Sequence, residues 1–168
     1  MPARQPLPRL WLMTDERLGD GLLGAVARLP DGAGIVFRHY NLADKERRAL
    51  FDKVREAAPG PVILAGPAAR ARAWGADGSH GRHRGTTIAP AHDLAEIRAA
   101  EASGASLIFL SPVFATRSHP GAPALGLDGF AALARQTRLP VIALGGMNAA
   151  RAETLSGAYG WAGIDAWV

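Results

Sequence analysis

Short apolar runs recur along the chain, and segments with helical character separate them. The clearest runs are four to six residues long and are typical of buried parallel strands: residues 10–15, 35–38, 61–65, 107–110 and 140–144. Helices are predicted at residues 22–29, 44–57, 128–136 and 149–156, with an alanine- and arginine-rich helix ending at Trp74. Strands that alternate with helices in this way indicate an α/β fold with a parallel sheet.

Three weaker strands complete the pattern. They are predicted at residues 76–80, 86–90 and 161–165, with a helix whose N-cap is Asp93. Residues 81–85 are too few for a covering helix, and no helix is expected after the last strand. Eight such strands predict a TIM (β/α)8 barrel, trimmed at the short fourth crossover and at the missing last helix. An open doubly wound sheet is the competing architecture, and residues 1–168 are expected to form a single domain.

Composition narrows the class of protein. The chain has no cysteine, which excludes a disulfide framework, a thiol nucleophile and a zinc–thiolate site. No apolar run approaches the roughly 20 residues of a membrane span, and the first eight residues lack the apolar core of a signal peptide. We therefore expect a soluble, cytoplasmic protein without a membrane partner.

The net charge of +4 comes mainly from arginine, since Lys45 and Lys53 are the lysines of the sequence. The arginines are spread along the chain without a clustered basic face or aromatic platforms, so a nucleic-acid partner is not expected. Most are predicted to be solvated, including Arg47 on the exposed face of helix 44–57. A phosphorylated small-molecule substrate fits this charge balance.

One loop concentrates candidate chemistry. It runs from Ser111 to Gly126 after an apolar strand, and three prolines stiffen it. Two hydroxyls, a guanidinium and an imidazole occupy its consecutive positions Thr116, Arg117, Ser118 and His119. These groups indicate an anion-holding lid. A second segment, Pro140 to Asn148, ends a buried strand with Gly145 and Gly146 before a helix, where backbone N–H groups suit phosphate.

Other polar residues stand at predicted strand ends, which meet at one mouth of a barrel. Arg38 needs an anionic partner there, either a ligand or Asp15. Thr14 and Asp15 are alternatively caps of the first helix. Three histidines, His80, His83 and His92, invite a metal site, although packing or solvent exposure explains them more simply. A phosphosugar-type barrel enzyme using His80 or His119 as acid/base remains open.

The segments Ser111-Pro-Val-Phe-Ala-Thr116 and Val141-Ile-Ala-Leu-Gly-Gly146 resemble those of the thiamine phosphate synthase and TenI family, with the strongest similarity from Gly75 to Gly146. The resemblance implies a TIM barrel that couples an aminopyrimidine diphosphate with a thiazole phosphate, using Mg2+. By this resemblance the catalytic residues are Arg38, Ser118 and His119. The substrate- and phosphate-binding residues are Thr116, Gly145, Gly146 and His92.

The chain also departs from the family pattern. The positions of the two metal-binding carboxylates fall on Ala65 and Gly66 and on residues 82–84, so no metal ligand is evident. Pro112 stands where TenI-type tautomerases have a catalytic histidine, and Asp165 falls where a serine often assists the thiazole phosphate. The alternative is therefore a catalytically reduced paralogue that binds thiamine precursors or another phosphorylated small molecule. A homo-oligomer could cover the wall left bare by the missing helix, through Trp161, Trp167 and Val168.

Overall fold

The computed structural model describes residues 6–118 and 120–168. Its eight parallel strands pair in sequence order, and β8 pairs with β1, so the sheet closes into a barrel. The strands are β1 (Leu10–Met13), β2 (Gly34–Phe37), β3 (Val62–Ala65), β4 (Gly78–His80), β5 (Ile88–Ala91), β6 (Leu107–Leu110), β7 (Val141–Ala143) and β8 (Gly160–Gly163). The closure confirms the TIM barrel and rules out the open doubly wound sheet.

Helices cover the outside of this barrel. They are α1 (Leu22–Ala27), α2 (Asp44–Ala57), α3 (Ala68–Trp74), α4 (Leu94–Ser103), α5 (Gly126–Ala134) and α6 (Ala149–Ala152). As predicted, β4 and β5 are joined without a helix. Within the described ranges, β8 is followed by the three-residue 3-10 helix Asp165–Trp167 alone. In the described part of the chain, no helix combines the length and the apolar character needed to cross a membrane.

Three helices differ in their bounds from the sequence prediction. The helix predicted at 22–29 ends at Ala27, the helix predicted at 128–136 is Gly126–Ala134, and the helix predicted at 149–156 ends at Ala152. A 3-10 helix at Glu16–Gly21, which was not predicted, precedes α1. Asp15 caps this 3-10 helix by accepting a hydrogen bond from the Arg17 N–H. Asp93 accepts from the Glu96 N–H at 2.8 Å, which confirms its predicted role as N-cap of α4.

Alternating strand residues build two apolar layers. Trp11, Met13, Val36, Ile63 and Phe109 belong to the cluster inside the barrel, where the Trp11 and Phe109 rings meet edge to face at 5.5 Å. Their neighbours in sequence, such as Leu12 and Ile35, pack outward against the helices. Two such outer clusters, one on each side of the barrel, hold the strand ends in fixed positions.

The wall beside β1 and β8 is covered by tryptophan. Trp167 packs against the outer cluster of β1 and β2, and its ring stacks on that of Trp161 at 5.1 Å. Trp161 contacts the other outer cluster, while Val168 is 70% exposed. The two rings therefore join both halves of the outer shell where other strands have a helix, and a homo-oligomer across this wall stays a prediction.

Candidate functional site

A cavity of about 300 Å³ opens at the carboxyl ends of the strands. This volume lies at the lower end of the range for small-ligand sites. The loops after β1, β2, β5, β6, β7 and β8 contribute its walls, among them Arg17, Arg38, His92, Ser111, Thr116, Arg117, Ser118, Gly145, Gly146, Met147 and Asp165. The residues that the family resemblance assigns to the site therefore border one cavity, except His119, which lies outside the described residues. The other candidates at the strand ends, Thr14, Asp15, His80 and His83, do not line it.

The glycine pair and the lid loop lie side by side, as predicted. The Val113 N–H donates to the Leu144 carbonyl at 2.9 Å, and the Phe114 N–H donates to the Gly145 carbonyl at 3.1 Å. A Cβ atom at Gly145 would lie 2.7 Å from the Pro112 Cα, so close packing alone already requires glycine there. The bonds fix the start of the lid against the loop that follows β7.

Backbone donors are left over at this junction. Gly145 and Gly146 have φ angles of +100° and +63°, which glycine adopts without the strain that a side chain would bring. Among residues 6–118 and 120–168, the N–H groups of Gly145, Gly146 and Met147 have no hydrogen-bond acceptor. All three residues line the cavity. An anion is the natural partner for such a group of donors, because polar groups away from water are normally paired.

Arg38 is anchored at the end of β2. Its Nε donates to the Thr14 carbonyl at 2.7 Å, and its Nη2 donates to Asp15 Oδ2 at 2.9 Å. The sequence allowed either a ligand or Asp15 as the anionic partner of Arg38, and in the structure Asp15 is that partner. Arg38 also lines the cavity, so its guanidinium is held ready at the wall with its charge partly compensated.

The turn after Arg38 is strained and buried. His39 has a φ of +41°, rare for a residue with a side chain, and is only 4% exposed. Its Nδ1 lies 3.0 Å from Thr14 Oγ1, which accepts the Arg38 N–H at 2.9 Å. The Thr14 hydroxyl therefore links the backbone of Arg38 to the His39 ring. Burial, with smaller contributions from the charges of Arg38 and Arg47, lowers the pKa of His39 against the opposing effect of Glu16 and Asp15, and so favours the neutral ring.

Arg47 corrects the sequence prediction of a solvated arginine. It is 5% exposed, and it donates to the Arg38 carbonyl at 2.9 Å and to the Ala65 carbonyl at 2.8 Å. Its guanidinium lies 5.5 Å from the ring centres of both Tyr40 and Trp74. Burial lowers the pKa of Arg47. Arg47 therefore links the carboxyl ends of β2 and β3 and fixes the backbone of Arg38.

Charged lid residues meet the other loops across the mouth. Arg17 Nη1 donates to Ser118 Oγ at 3.2 Å, and Arg17 Nη2 donates to Asp165 Oδ2 at 3.1 Å. Arg117 Nη2 donates to the same Asp165 oxygen at 3.0 Å. Thr116 Oγ1 accepts the Ser118 N–H at 3.2 Å, which leaves its hydroxyl proton free to donate. Sequence reasoning missed Arg17, because no local pattern marks it.

His92 is held by an acidic neighbour. Its Nδ1 lies 2.7 Å from Glu96 Oε2 and 3.1 Å from Arg82 Nη2. One nitrogen cannot donate to the carboxylate and accept from the guanidinium together, and the shorter contact makes Nδ1–H the donor to Glu96. Burial of Glu96 raises its pKa, but the hydrogen bond from His92 and the charge of Arg82 outweigh burial, so the pKa of Glu96 is lowered. His92 itself lines the cavity.

His80 is more buried than the other two histidines of the metal hypothesis, His83 and His92. Its two ring nitrogens are buried without a hydrogen-bond partner among the described residues, and its ring lies 5.8 Å from that of Phe109. Burial lowers the pKa of His80 to about 4, with smaller effects from Arg38 and Arg82. In the described part of the chain, no three His, Cys, Asp or Glu side chains are close enough to share a metal ion.

Comparisons with known proteins agree with this geometry. The family described as thiamine monophosphate synthase matches residues 88–167, which include the lid, the glycine pair and Asp165. A protein of Aquifex aeolicus named putative thiamine-phosphate synthase 2 is 33% identical over 94% of this chain and 96% of its own length. The chain belongs to the thiamine monophosphate synthase family.

Another family relative, the thiamine-phosphate synthase of Laribacter hongkongensis, is 32% identical over 93% of this chain and 82% of its own. The solved structure of thiamine phosphate pyrophosphorylase from Pyrococcus furiosus superposes with a TM-score of 0.77 at 23% identity. That alignment covers 94% of this chain and 85% of the other, and it shows the same fold. The family resemblance inferred from the lid and glycine segments is therefore confirmed.

Proposed function

We propose that this protein acts in thiamine biosynthesis as a thiamine-phosphate synthase, which binds a thiazole phosphate in the cavity and joins it to an aminopyrimidine diphosphate. The observation that carries the proposal is the set of backbone N–H groups at Gly145, Gly146 and Met147, which lack acceptors among the described residues and line the cavity beside the lid. Family membership supplies the choice of substrates.

The phosphate of the thiazole would lie between the glycine pair and the lid. Three amides donate from one side, and the hydroxyls of Thr116 and Ser118 border the same space. These donors are neutral and fixed by the barrel, so they bind the anion without reorganising. The same arrangement supports the roles expected for Thr116, Gly145 and Gly146, and His92 lines the same cavity.

In the coupling step, the bond between the pyrimidine methylene carbon and the diphosphate oxygen breaks, and pyrophosphate leaves with the electron pair. The thiazole nitrogen then forms the new C–N bond. Arg38, held by Thr14 and Asp15, would donate to the leaving oxygens where negative charge develops. Closure of the mouth by lid residues such as Ser118 would keep water from the cationic intermediate. His119 remains a predicted participant.

Magnesium is the cofactor that the family implies, but the described residues do not fit its two-carboxylate site. Ala65 ends β3 and Gly66 follows it, and the loop after β4 carries Arg82. The two carboxylates near the cavity already accept bonds from arginines: Asp15 from Arg38, and Asp165 from Arg17 and Arg117. Hard oxygen ligands for Mg2+ are therefore engaged elsewhere.

Titration calorimetry tests the binding half of this proposal. Hydroxyethylthiazole phosphate should bind at least about 100-fold more tightly than the unphosphorylated alcohol, because charged hydrogen bonds are the strong ones. Thr116→Val should weaken the phosphate about tenfold by removing one donor. Thr154→Val, an exposed threonine outside the cavity, is the matched control and should bind normally. Equal affinity for phosphate and alcohol would contradict the proposed phosphate site.

Pyrophosphate release from both substrates, with and without Mg2+, tests the coupling half. We expect release above background that requires the thiazole phosphate. Tight phosphate binding without any release would refute the synthase activity and establish the binding-only alternative. We further propose a cytoplasmic location, in keeping with a cysteine-free chain and phosphorylated substrates.

A further inference from the structure

Three charged side chains form a cluster at the mouth of the cavity. Arg17, Arg117 and Asp165 come from the loops after β1, β6 and β8, and all three line the cavity. Both arginines donate to one atom, Asp165 Oδ2, at 3.1 and 3.0 Å. The Asp165 carboxylate thus binds both guanidinium groups.

This arrangement is exchangeable. The side chains of Arg17, Asp165 and Arg117 are 32%, 46% and 81% exposed, and ion pairs in such surroundings contribute little to stability. Each guanidinium also makes a single bond to the shared oxygen instead of the two-pronged contact that a guanidinium forms best. A phosphate group, with three terminal oxygens, can accept from both arginines and use more of their donors.

The arginine pair also adjoins the lid. Arg17 also donates to Ser118 Oγ at 3.2 Å, so the arginine pair lies beside the lid hydroxyl that borders the phosphate site of the glycine pair. The cavity therefore has two groups of anion donors, neutral amides at Gly145–Met147 and guanidinium groups at the mouth.

We propose that Arg17 and Arg117 form a second anion subsite for a diphosphate, and that Asp165 occupies it until the diphosphate displaces the carboxylate. The guanidinium groups then supply positive charge at a mouth where Ala65, Gly66 and Arg82 occupy the positions of the family's metal-binding carboxylates. This inference rests on the proposed function only in placing the ligand in the same cavity.

Inorganic pyrophosphate is the probe, titrated calorimetrically in EDTA against the wild type, Asp165→Asn and Asp31→Asn. Asp165→Asn removes the competing charge while keeping the shape, and should tighten pyrophosphate binding about tenfold. Asp31→Asn changes the net charge equally in an exposed turn before β2, at the other end of the barrel, and should stay within about twofold of the wild type. Equal effects of the two variants would overturn the proposal, because they would reveal only a general charge effect.

The double variant Arg17→Gln/Asp165→Asn locates the effect. It should lose the gain in affinity while keeping the melting temperature of Asp165→Asn within a few degrees. A gain that persists in the double variant would show that pyrophosphate binds without Arg17 and would refute the assignment.

The outcome is separable from that of the proposed function. If the thiazole phosphate binds no more tightly than the alcohol, but Asp165→Asn binds pyrophosphate tenfold more tightly, the proposed function is refuted and the diphosphate subsite is supported. If the thiazole phosphate is preferred, but Asp165→Asn does not change pyrophosphate affinity, the subsite is refuted and the proposed function is supported. Absence of any phosphate or pyrophosphate binding in all variants would refute both.

Discussion

At the scale of single residues, Thr14 holds the geometry around Arg38. Its hydroxyl accepts the Arg38 N–H and contacts His39 Nδ1, and the residue is completely buried. Thr14→Val keeps the shape but leaves two buried polar groups without their partner, so we expect a loss of about 2 kcal/mol in the free energy of unfolding. Urea denaturation measures this loss.

Thr14→Ser is the matched control for that substitution. Serine restores the hydroxyl and should recover most of the stability, apart from the small cost of one methyl group. Equal destabilisation by valine and serine would show that packing, and not the hydroxyl, matters at this position.

The partners of a side chain were predictable from sequence where they lie close along the chain, or where a buried charge requires an opposite charge. Arg38 at a strand end required an anion, and Asp15 at the neighbouring strand end was a natural choice. Arg17 and Asp165 are 148 positions apart and meet only because β8 closes on β1. Arg47 was misplaced because its helix has many charges, and only the structure shows that it points at two carbonyl groups under the strand ends.

At the scale of elements, His80 at the end of β4 makes the free energy of unfolding depend on pH. The pKa of His80 is lowered from 6.5 to about 4, first by burial. Below about pH 6.5 the unfolded chain takes up a proton that the folded chain refuses until about pH 4, so the free energy of unfolding falls across this window. The loss from His80 should reach up to about 3 kcal/mol.

His80→Leu removes this contribution and fills an apolar site. Urea unfolding at several pH values should show a shallower decline between pH 6.5 and 4, with a residual slope from His39, whose pKa is also lowered by burial. His83→Gln, in the exposed loop after β4, is the control and should retain most of the wild-type decline, because burial and not the charge of His83 is the main cause of the lowered His80 pKa. An unchanged profile in His80→Leu would disprove the assignment to His80.

Elements were predictable to the extent that burial shapes their sequence. The apolar strands β1, β3, β6 and β7 lie within their predicted runs because parallel strands are covered on both faces. Short elements carry less signal: Ala149–Ala152 is a single helical turn, and Glu16–Gly21 is a 3-10 helix with glycine at positions 19 and 21. Neither presents an apolar stripe long enough to define its ends.

At the scale of the whole molecule, the lid and the glycine pair depend on a closed ring of strands. Strict alternation of strands and helices favoured this ring, but the pairing of β8 with β1 cannot be derived from either strand alone. The family resemblance supplied that step, and the structure confirms it. The positions of site residues contributed by β1 and β8 depend most on this closure.

Trp167 tests how firmly the ring is closed. Its ring stacks on Trp161 with an interplanar angle of 4° and packs on the outer cluster beside β1, so it links the last strand to the first. Trp167→Ala should lower the free energy of unfolding by about 2 kcal/mol, less than for a fully buried tryptophan because the residue is half-buried. Trp167→Phe keeps an aromatic ring and removes the indole N–H, which has no partner among the described residues, and should be nearly neutral. Equal losses for alanine and phenylalanine would mean that the stack does not hold β8 against β1.

The same stack should affect pyrophosphate binding, because Arg17 follows β1 and Asp165 follows β8. Trp167→Ala should therefore weaken pyrophosphate binding at the mouth, whereas Trp167→Phe should not.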